Sequence, residues 1–227
     1  MNIKVVAFDA DDTLWHNEAY FQEAEQKYWT LLEDYLPQHS VSRELLKTEM
    51  QNIALYGYGI KAFTLSMIET AIRISEGTIS TQVIEKIIGF GKDLLAKPVV
   101  LIEGVEEVLE NLKNKYRLVV STKGDLMDQQ RKLRDSGLEG FFHHIEIVSD
   151  KNEAEYSKLI KHLDIKAPQF AMIGNSLKSD ILPVLSIGGH GFHVPYHVTW
   201  THEQIDFTIE HEHFIELKVI NDILKYL

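Results

Sequence analysis

The chain has 227 residues, no cysteine and a formal net charge of −11 at pH 7. The lack of cysteine excludes disulfides, thiolate catalysis and cysteine-ligated zinc, and the negative charge disfavours nucleic acid or an anionic membrane as a partner. Since 44% of the residues are apolar and the N-terminus carries no basic-then-apolar leader, we expect a cytoplasmic, soluble globular protein.

The first predicted element is a short buried strand, because residues 3–8 are mostly apolar. Three carboxylates follow it: Asp9, Asp11 and Asp12. Crowded carboxylates repel one another unless a cation lies among them, which favours a hard divalent metal, above all Mg²⁺. One carboxylate then remains able to attack as a nucleophile. An ordinary polar turn is the alternative interpretation.

The next segment, residues 17–96, is helical in pattern. Apolar residues recur at helical spacing in four stretches, which are separated by Pro37, by the turn Gly57-Tyr58-Gly59 and by polar residues before Val83. The fourth stretch leads into Gly89 and Gly91. Four amphipathic helices with short connections predict a small helical bundle.

After Pro98, strands and helices alternate. We predict strands at about 117–120, 144–148, 170–173 and 191–194, with helices at about 105–112, 126–136, 153–163 and 181–187. Such alternation is typical of a doubly wound parallel sheet, in which ligands bind beyond the carboxyl ends of the strands. The sequence therefore predicts an α/β core, residues 1–16 and 97–227, interrupted by a helical insert, residues 17–96.

Polar residues follow the second predicted strand. Ser121, Thr122, Lys123 and Gly124 lead directly into a helix start. A hydroxyl, backbone amides and a helix N-terminus together favour a phosphoryl oxygen, although such residues also form ordinary turns and caps. We therefore consider these four residues candidates for binding a phosphorylated substrate.

The stretch Asp9-Ala10-Asp11-Asp12-Thr13-Leu14 closely resembles the first motif of the haloacid dehalogenase (HAD) superfamily, most of whose members are Mg²⁺-dependent phosphohydrolases. The resemblance implies a Rossmann-like core with a helical cap. It also implies that Asp9 attacks phosphorus and forms an aspartyl-phosphate, and that Asp11 protonates the leaving alcohol and later activates water. The backbone carbonyl of Asp11 would join Asp9 on the metal.

Later segments are similar to the other three HAD motifs in order. Ser121, with Thr122 as the alternative, takes the place of the second motif's hydroxyl. Lys151 takes the place of the lysine that neutralises the nucleophile and the phosphoryl charge, and Lys158 is a second candidate on a predicted helix. The segment from Gly174 to Asp180 resembles the fourth, acidic motif, which implies Asp180 as the main acidic metal ligand of this loop.

Asn175 departs from the pattern, because HAD phosphatases usually have Asp there. An Asn oxygen can bind a cation but brings no charge, so we expect weaker metal binding. The departure points partly to the metal-free 2-haloacid dehalogenases, but those lack a second acid, and Asp11 suits a leaving group that must be protonated. A phosphohydrolase is therefore preferred; a dehalogenase or a weakly catalytic phospholigand-binding protein remain alternatives.

Two further segments carry weaker signals. Tyr56 and Tyr58, between two predicted helices, could contact a substrate in a movable loop or form a turn with buried aromatics. The histidine-rich C-terminal region, including His211 and His213, lacks a paired i, i+4 arrangement for a metal, so ordinary histidines are expected. The expected partner is a small phosphorylated metabolite, bound by a monomer or homodimer.

Overall fold

The protein is described by a computed structural model that covers residues 2–227. The helices in chain order are α1 (Glu18–Leu31), α2 (Gln38–Tyr56), α3 (Ile60–Ile74), α4 (Thr81–Leu95), α5 (Val105–Leu112), α6 (Leu126–Asp135), α7 (Glu153–His162) and α8 (Leu182–Ser186). The strands are β1 (Val5–Phe8), β2 (Arg117–Lys123), β3 (His144–Val148), β4 (Phe170–Gly174), β5 (His190–His193) and β6 (Phe214–Glu216). Among residues 2–227 no helix has the length and apolar character needed to cross a bilayer.

The chain divides into two compact units. The first comprises residues 2–18, 99–123 and 129–227, and the second comprises residues 19–98 and 124–128. The second unit therefore begins and ends slightly later than the predicted insert, and it gains the short segment after β2. Its assignment as a cap stays a prediction.

The first unit contains a six-stranded, all-parallel sheet in the order β3-β2-β1-β4-β5-β6. β1 lies between β2 and β4, with Val5 paired to Arg117 on one side and to Phe170 on the other. Helices pack on both faces, so the predicted doubly wound α/β fold is confirmed. The strand order reverses between β1 and β4, which is where ligands bind in such sheets.

The apolar run of β1 is explained by burial on both faces. Val6 and Phe8 pack in a cluster with residues of α5, whereas Val5 and Ala7 pack in a second cluster with residues of α7. Strands that are covered on both faces have continuous apolar sequences, whereas half-exposed strands alternate apolar and polar residues. The rigid strand therefore presents the residues that follow it, beginning with Asp9, at a fixed position.

Two features of this unit were not predicted. β6 is a short, partly exposed edge strand without an apolar run that would reveal it. The helix predicted at about 181–187 is present as α8, but a π-helical turn, Leu177–Ile181, precedes it. A π-helical turn accommodates an extra residue and is frequent at functional sites.

The second unit contains the four predicted helices, although α1 begins one residue before it. Its core includes Tyr28, Leu45 and Met67, and the Tyr28 hydroxyl donates to the Met67 carbonyl at 2.8 Å. α4 continues through Gly89 and Gly91 to Leu95. The two glycines of α4 therefore lie within a helix, where glycine is ordinarily unfavourable.

Candidate active site

Asp9 lies at the carboxyl end of the central strand. Its backbone N–H donates to the Ile173 carbonyl at 2.9 Å, so the residue is still held by the sheet. The side chain is buried, with a residue exposure of 6%. Oδ1 accepts a hydrogen bond from the Lys151 ammonium and Oδ2 accepts one from Thr13 Oγ1 at 3.3 Å. The two oxygens of the predicted nucleophile thus have different partners.

Lys151 joins two buried carboxylates. Its ammonium contacts Asp9 Oδ1 and lies 2.6 Å from Asp180 Oδ1. The other oxygen of Asp180 accepts from the Ser176 backbone N–H at 3.0 Å. The second lysine candidate, Lys158, is 72% exposed and pairs with Glu155. Of the two candidates, the structure therefore brings Lys151 to the predicted nucleophile.

The charges of this buried group depend on one another. Burial alone would lower the pKa of Lys151, but Asp180 and Asp9 outweigh burial and raise that pKa well above its usual value. Burial raises the pKa of Asp9, Lys151 opposes that rise and Asp180 adds to it. Lys151 therefore stays protonated, and it is the cation that favours the carboxylate form of Asp9.

Asp11 is held by three donors. Lys132 Nζ and Trp15 Nε1 donate to its Oδ1 at 2.6 and 2.7 Å, and Gln129 Nε2 donates to its Oδ2 at 3.2 Å. Gln129 and Lys132 lie one turn apart on α6, so both can reach the same carboxylate. Every one of these partners is a donor, and two of the distances are short, so the carboxyl group is fixed in position.

Asp12 has a structural role. It adopts a left-handed backbone conformation, with φ of 62°, and its carboxylate accepts from the backbone N–H groups of Asn17 and Glu18 at 2.8–3.1 Å. Burial and the neighbouring Asp11 raise the pKa of Asp12 to about 7, and the hydrogen bonds from the two backbone N–H groups oppose that rise. The third acid of the motif therefore holds the backbone at the start of α1.

The polar residues at the end of β2 have partners within the first unit. Ser121 is buried, and Thr122 Oγ1 accepts from Gln129 Nε2 at 2.7 Å. Lys123 Nζ donates to Ser179 Oγ at 2.9 Å. Gly124, with φ of 141°, belongs to the second unit. The substrate-binding roles predicted for Ser121, Thr122, Lys123 and Gly124 remain predictions.

The loop after β4 brings Asn175 to the first motif. Its side-chain amide lies 3.2 Å from Asp9 Oδ2 and 3.3 Å from the Asp11 carbonyl oxygen, and it donates to both when its nitrogen faces them. Gly174, just before it, leaves room for Asp180, because a Cβ there would lie 2.2 Å from Asp180 Oδ2. Asn175 thus lies beside Asp9 Oδ2, whereas Asp180 is linked to Asp9 through Lys151.

Glu203 was not predicted to belong to the site. Its carboxylate is 11% exposed, pairs with Lys123 at 2.5 Å and accepts from Ser176 Oγ and Ser179 Oγ at 2.5 and 2.6 Å. Burial alone would raise its pKa, but Lys123 and the two serines outweigh burial and lower that pKa to about 2. Glu203 therefore fixes the loop that carries Asn175 and Asp180.

Gln129 and Lys132 were also not predicted to belong to the site. Their spacing of three residues on a helix that follows the second motif was a usable signal, but nothing in it named Asp11 as their partner. Glu203 gave no signal, because an isolated Glu in an irregular segment is normally solvated.

Tyr56 and Tyr58 lie in the second unit. The Tyr56 hydroxyl donates to Glu69 Oε1 at 3.2 Å, and Tyr58 lies in the turn between Gly57 and Gly59, which have φ of 72° and 107°. Both glycines thus adopt a conformation that other residues rarely take. The proposed contact of these tyrosines with a substrate stays a prediction.

The C-terminal histidines are grouped, but not as ligands. The rings of His190 and His213 lie 4.3 Å apart, and those of His211 and His213 lie 5.5 Å apart. Within residues 2–227 no group of three or more His, Cys, Asp or Glu side chains is placed to hold a metal ion.

Comparison with known proteins identifies the family. The sequence model of the haloacid dehalogenase-like hydrolases matches residues 3–188. The chain therefore belongs to the haloacid dehalogenase-like hydrolases and is a hydrolase.

Individual proteins resemble the chain to different extents. The crystal structure of a haloacid dehalogenase-like family hydrolase from Xanthomonas campestris has 38% sequence identity and a TM-score of 0.88, and the match covers 97% of this chain and 88% of that one. A protein of Bacillus subtilis strain 168 that carries the name HAD-hydrolase YfnB is 32% identical over 87 residues, a match that spans only 36% of this chain and 37% of YfnB.

Two structures below 20% identity share the fold. YfnB bound to magnesium has 18% identity and a TM-score of 0.66, and the match covers 100% of this chain and 99% of that one. A 2-haloacid dehalogenase from Pseudomonas syringae has 16% identity and a TM-score of 0.65, with coverage of 98% and 97%.

Proposed function

We propose that the protein is a Mg²⁺-dependent phosphohydrolase that removes phosphate from a small phosphate monoester through an aspartyl-phosphate. One arrangement carries this proposal: a buried Asp9, paired with Lys151, is followed two residues later by the firmly held carboxylate of Asp11. A nucleophile beside a second acid suits a leaving oxygen that needs a proton. A departing halide needs no proton.

The residues beside Asp9 fit a magnesium ion. Asp9 Oδ2 and the Asp11 carbonyl oxygen lie 3.2 and 3.3 Å from the side-chain amide of Asn175. Neighbouring ligands of octahedral Mg²⁺, each 2.0–2.1 Å from the ion, lie about 3 Å apart. These three groups would hold the ion, with Asp180 as the predicted acidic ligand, although both of its oxygens already accept hydrogen bonds. A bound Mg²⁺ would neutralise charge on the phosphoryl oxygens.

The chain's own residues account for the remaining steps. A carboxylate oxygen of Asp9 forms a bond to phosphorus while the bond to the ester oxygen breaks, and that oxygen takes a proton from the Asp11 carboxyl group. Asp11, now ionised, accepts a proton from water as the water oxygen attacks phosphorus and releases Asp9. The three donors around Asp11 hold its carboxyl group in one position for both proton transfers.

Lysine provides the positive charge that a phosphate ester needs. The chain carries a net charge of −11, so a phosphate dianion has to be met by local cations. Lys151 lies beside the proposed nucleophile and is paired with two carboxylates. Ser121, buried at the end of β2, would hold a phosphoryl oxygen. We propose a small phosphorylated metabolite as the substrate of a monomeric or homodimeric cytoplasmic enzyme.

A metal-free dehalogenase is the second candidate, and one observation favours it. When the Asn175 nitrogen faces Asp9 Oδ2 and the Asp11 carbonyl, it satisfies both oxygens without a cation. In this reaction a carboxylate oxygen of Asp9 would attack the halogen-bearing carbon and halide would leave. Asp11, held by Lys132 and Trp15, has no role in such a step.

A paired screen separates the two candidates. Phosphate release from a panel of sugar phosphates, phosphoglycolate and nucleotides is measured with Mg²⁺, and chloride release from 2-chloropropionate is measured in EDTA. The proposed function predicts Mg²⁺-dependent phosphate release from at least one ester and no chloride release. Chloride release without phosphate release would establish the dehalogenase instead.

A further inference from the structure

The carboxylate of Glu203 is enclosed by hydrogen-bond donors. Its Oε1 accepts from Lys123 Nζ at 2.5 Å, and its Oε2 accepts from Ser176 Oγ and Ser179 Oγ at 2.5 and 2.6 Å. Both serines are buried, and all four residues lie in the first unit. One ammonium and two hydroxyls therefore converge on a single carboxylate, a set of charge-assisted hydrogen bonds that suits any small carboxylate.

The three donors are held by contacts that do not involve Glu203. Lys123 is the last residue of β2, and its Nζ also donates to Ser179 Oγ at 2.9 Å. Ser176 Oγ accepts from the Ser179 backbone N–H at 2.9 Å. Glu203 itself comes from a different segment, the 3₁₀ turn Thr201–Glu203 between β5 and β6. The donors and the carboxylate that they bind are thus contributed by separate parts of the unit.

The donor group is connected to the proposed nucleophile through two side chains. The Ser176 backbone N–H donates to Asp180 Oδ2 at 3.0 Å, and Asp180 Oδ1 accepts from Lys151 Nζ at 2.6 Å. Lys151 in turn pairs with Asp9. The carboxylate of Glu203 is therefore fixed at the border of the site in which the phosphate ester is proposed to react.

Stabilisation of the fold is a weak reason to keep this ion pair. Both charges lose their hydration on burial, so a buried ion pair often contributes no more to folding than apolar residues packed in its place. Binding sites also use charge to reject ligands, by placing a like charge where the ligand's own charge would lie. The carboxylate of Glu203 occupies Lys123 and so withholds this cation from an anionic ligand.

We propose that Lys123, Ser176 and Ser179 form a carboxylate-binding subsite that Glu203 fills, which makes Glu203 a specificity-determining residue. The specificity role rests on the proposed function. A phosphate ester with a carboxylate near its ester oxygen would find the subsite occupied and would meet a like charge. The substrate class that fits is therefore phosphate monoesters of uncharged alcohols.

Thermal unfolding of Glu203→Ala in sodium formate, and in sodium chloride of equal ionic strength, tests the subsite. Without the carboxylate the three donors should bind formate, which should raise the Tm of this variant saturably, as a ligand of the folded state does. If the variant is unfolded in chloride, formate should restore a cooperative transition. A Glu203→Ala variant that responds equally to formate and chloride overturns the proposal.

Two controls separate binding at the subsite from a general effect of formate. Glu139→Ala removes an exposed carboxylate of the same unit, and it should respond to formate no more than to chloride, like the wild type. The double variant Lys123→Met, Glu203→Ala removes the ammonium together with the carboxylate and should lose the formate-specific shift. A shift of the same size in the double variant contradicts the assignment of the subsite to Lys123.

Calorimetric titration in EDTA tests the specificity role without hydrolysis. The two ligands are 3-phosphoglycerate and glycerol 3-phosphate, which carry a carboxylate and a hydroxymethyl group at the same place. The wild type should prefer glycerol 3-phosphate, and in Glu203→Ala the ratio of the two Kd values should shift towards 3-phosphoglycerate by about 10-fold or more. An unchanged ratio, or no binding of either ester, contradicts the specificity role.

The formate measurement involves neither a phosphate ester nor turnover. Failure of the proposed phosphatase activity is therefore distinguishable from failure of this inference.

Discussion

Asp9 and Asp11 lie two residues apart but have opposite environments. Asp9 is buried beside one lysine and accepts a second hydrogen bond from Thr13. Asp11 is less buried and is held by Lys132, Trp15 and Gln129. This arrangement suits the proposed double displacement at phosphorus, in which the two carboxyl groups would perform different tasks.

Asp11→Asn should separate the two chemical steps. Nitrophenolate leaves without a proton, so Asp9 should still be phosphorylated by 4-nitrophenyl phosphate, but water would no longer be activated. We expect a burst of about one nitrophenolate per enzyme and a steady rate lower by about 10²–10⁴-fold, as loss of a general base predicts. Stopped-flow absorbance measures both quantities.

The control for this prediction is Asp135→Asn, which removes a carboxylate from the exposed end of α6. It should turn over like the wild type without a burst. Wild-type turnover in Asp11→Asn would remove Asp11 from the mechanism.

Glu203 should make stability depend on pH. Its pKa is lowered to about 2 in the fold, so it stabilises the folded state above the ordinary pKa of Glu, and this contribution is lost as pH falls from about 4.5 towards 2. Glu203→Gln should lower the free energy of unfolding at pH 7 by about 2–3 kcal/mol, with the difference shrinking at acid pH. Urea unfolding of Glu203→Gln and the wild type at pH 7, 4 and 3 measures this difference in the free energy of unfolding.

The exposed Glu139→Gln serves as the control and should match the wild type at every pH. A constant difference between Glu203→Gln and wild type from pH 7 to pH 3 would show that the carboxylate charge is not what stabilises the loop.

Helix α4 shows how packing decides where glycine is tolerated. At Gly91 a Cβ would lie 2.2 Å from Thr64 Oγ1 of α3, whereas at Gly89 a Cβ would meet nothing within 4 Å. Gly91 is therefore required for the close approach of two helices, and Gly89 is not. The two residues form a matched pair within one element.

Alanine substitutions at the two positions should have opposite effects. Gly89→Ala should stabilise the protein by about 0.5–1 kcal/mol, because alanine loses less backbone entropy in a helix. Gly91→Ala should destabilise it by about 1–3 kcal/mol through overpacking against Thr64. Chemical denaturation of both variants measures these changes in the free energy of unfolding. Equal changes in the two variants would contradict the role of the α3–α4 contact.

At the scale of elements, strands and helices with strong periodicity were predictable, and β6 was not. β1 and β4 are continuous apolar runs because both of their faces are covered, whereas β6 is a short strand that only its neighbour β5 completes. The π-helical turn after β4 likewise has tertiary contacts, including the bond from Ser179 Oγ to Glu203. Neither β6 nor the π-helical turn can therefore be predicted from the local sequence.

At the scale of the whole molecule, the parallel sheet determines the site. Because all six strands run the same way, the residues after β1, β2, β3 and β4 gather at one edge, and this made Asp9, Lys151 and Asn175 predictable as neighbours. Lys132 and Glu203 contact site residues that are distant in sequence. Their roles depend on side-chain directions that periodicity does not encode.

The measurement that tests the central claim most directly is hydrolysis of 4-nitrophenyl phosphate by wild type and Asp9→Asn, each in EDTA and at increasing Mg²⁺. We predict Mg²⁺-dependent hydrolysis by the wild type and a loss of about 10³-fold or more in Asp9→Asn. Cooperative thermal unfolding of the variant is the check that it is folded. A rate of hydrolysis that does not depend on Mg²⁺, or that is the same in Asp9→Asn as in the wild type, would contradict the proposed mechanism.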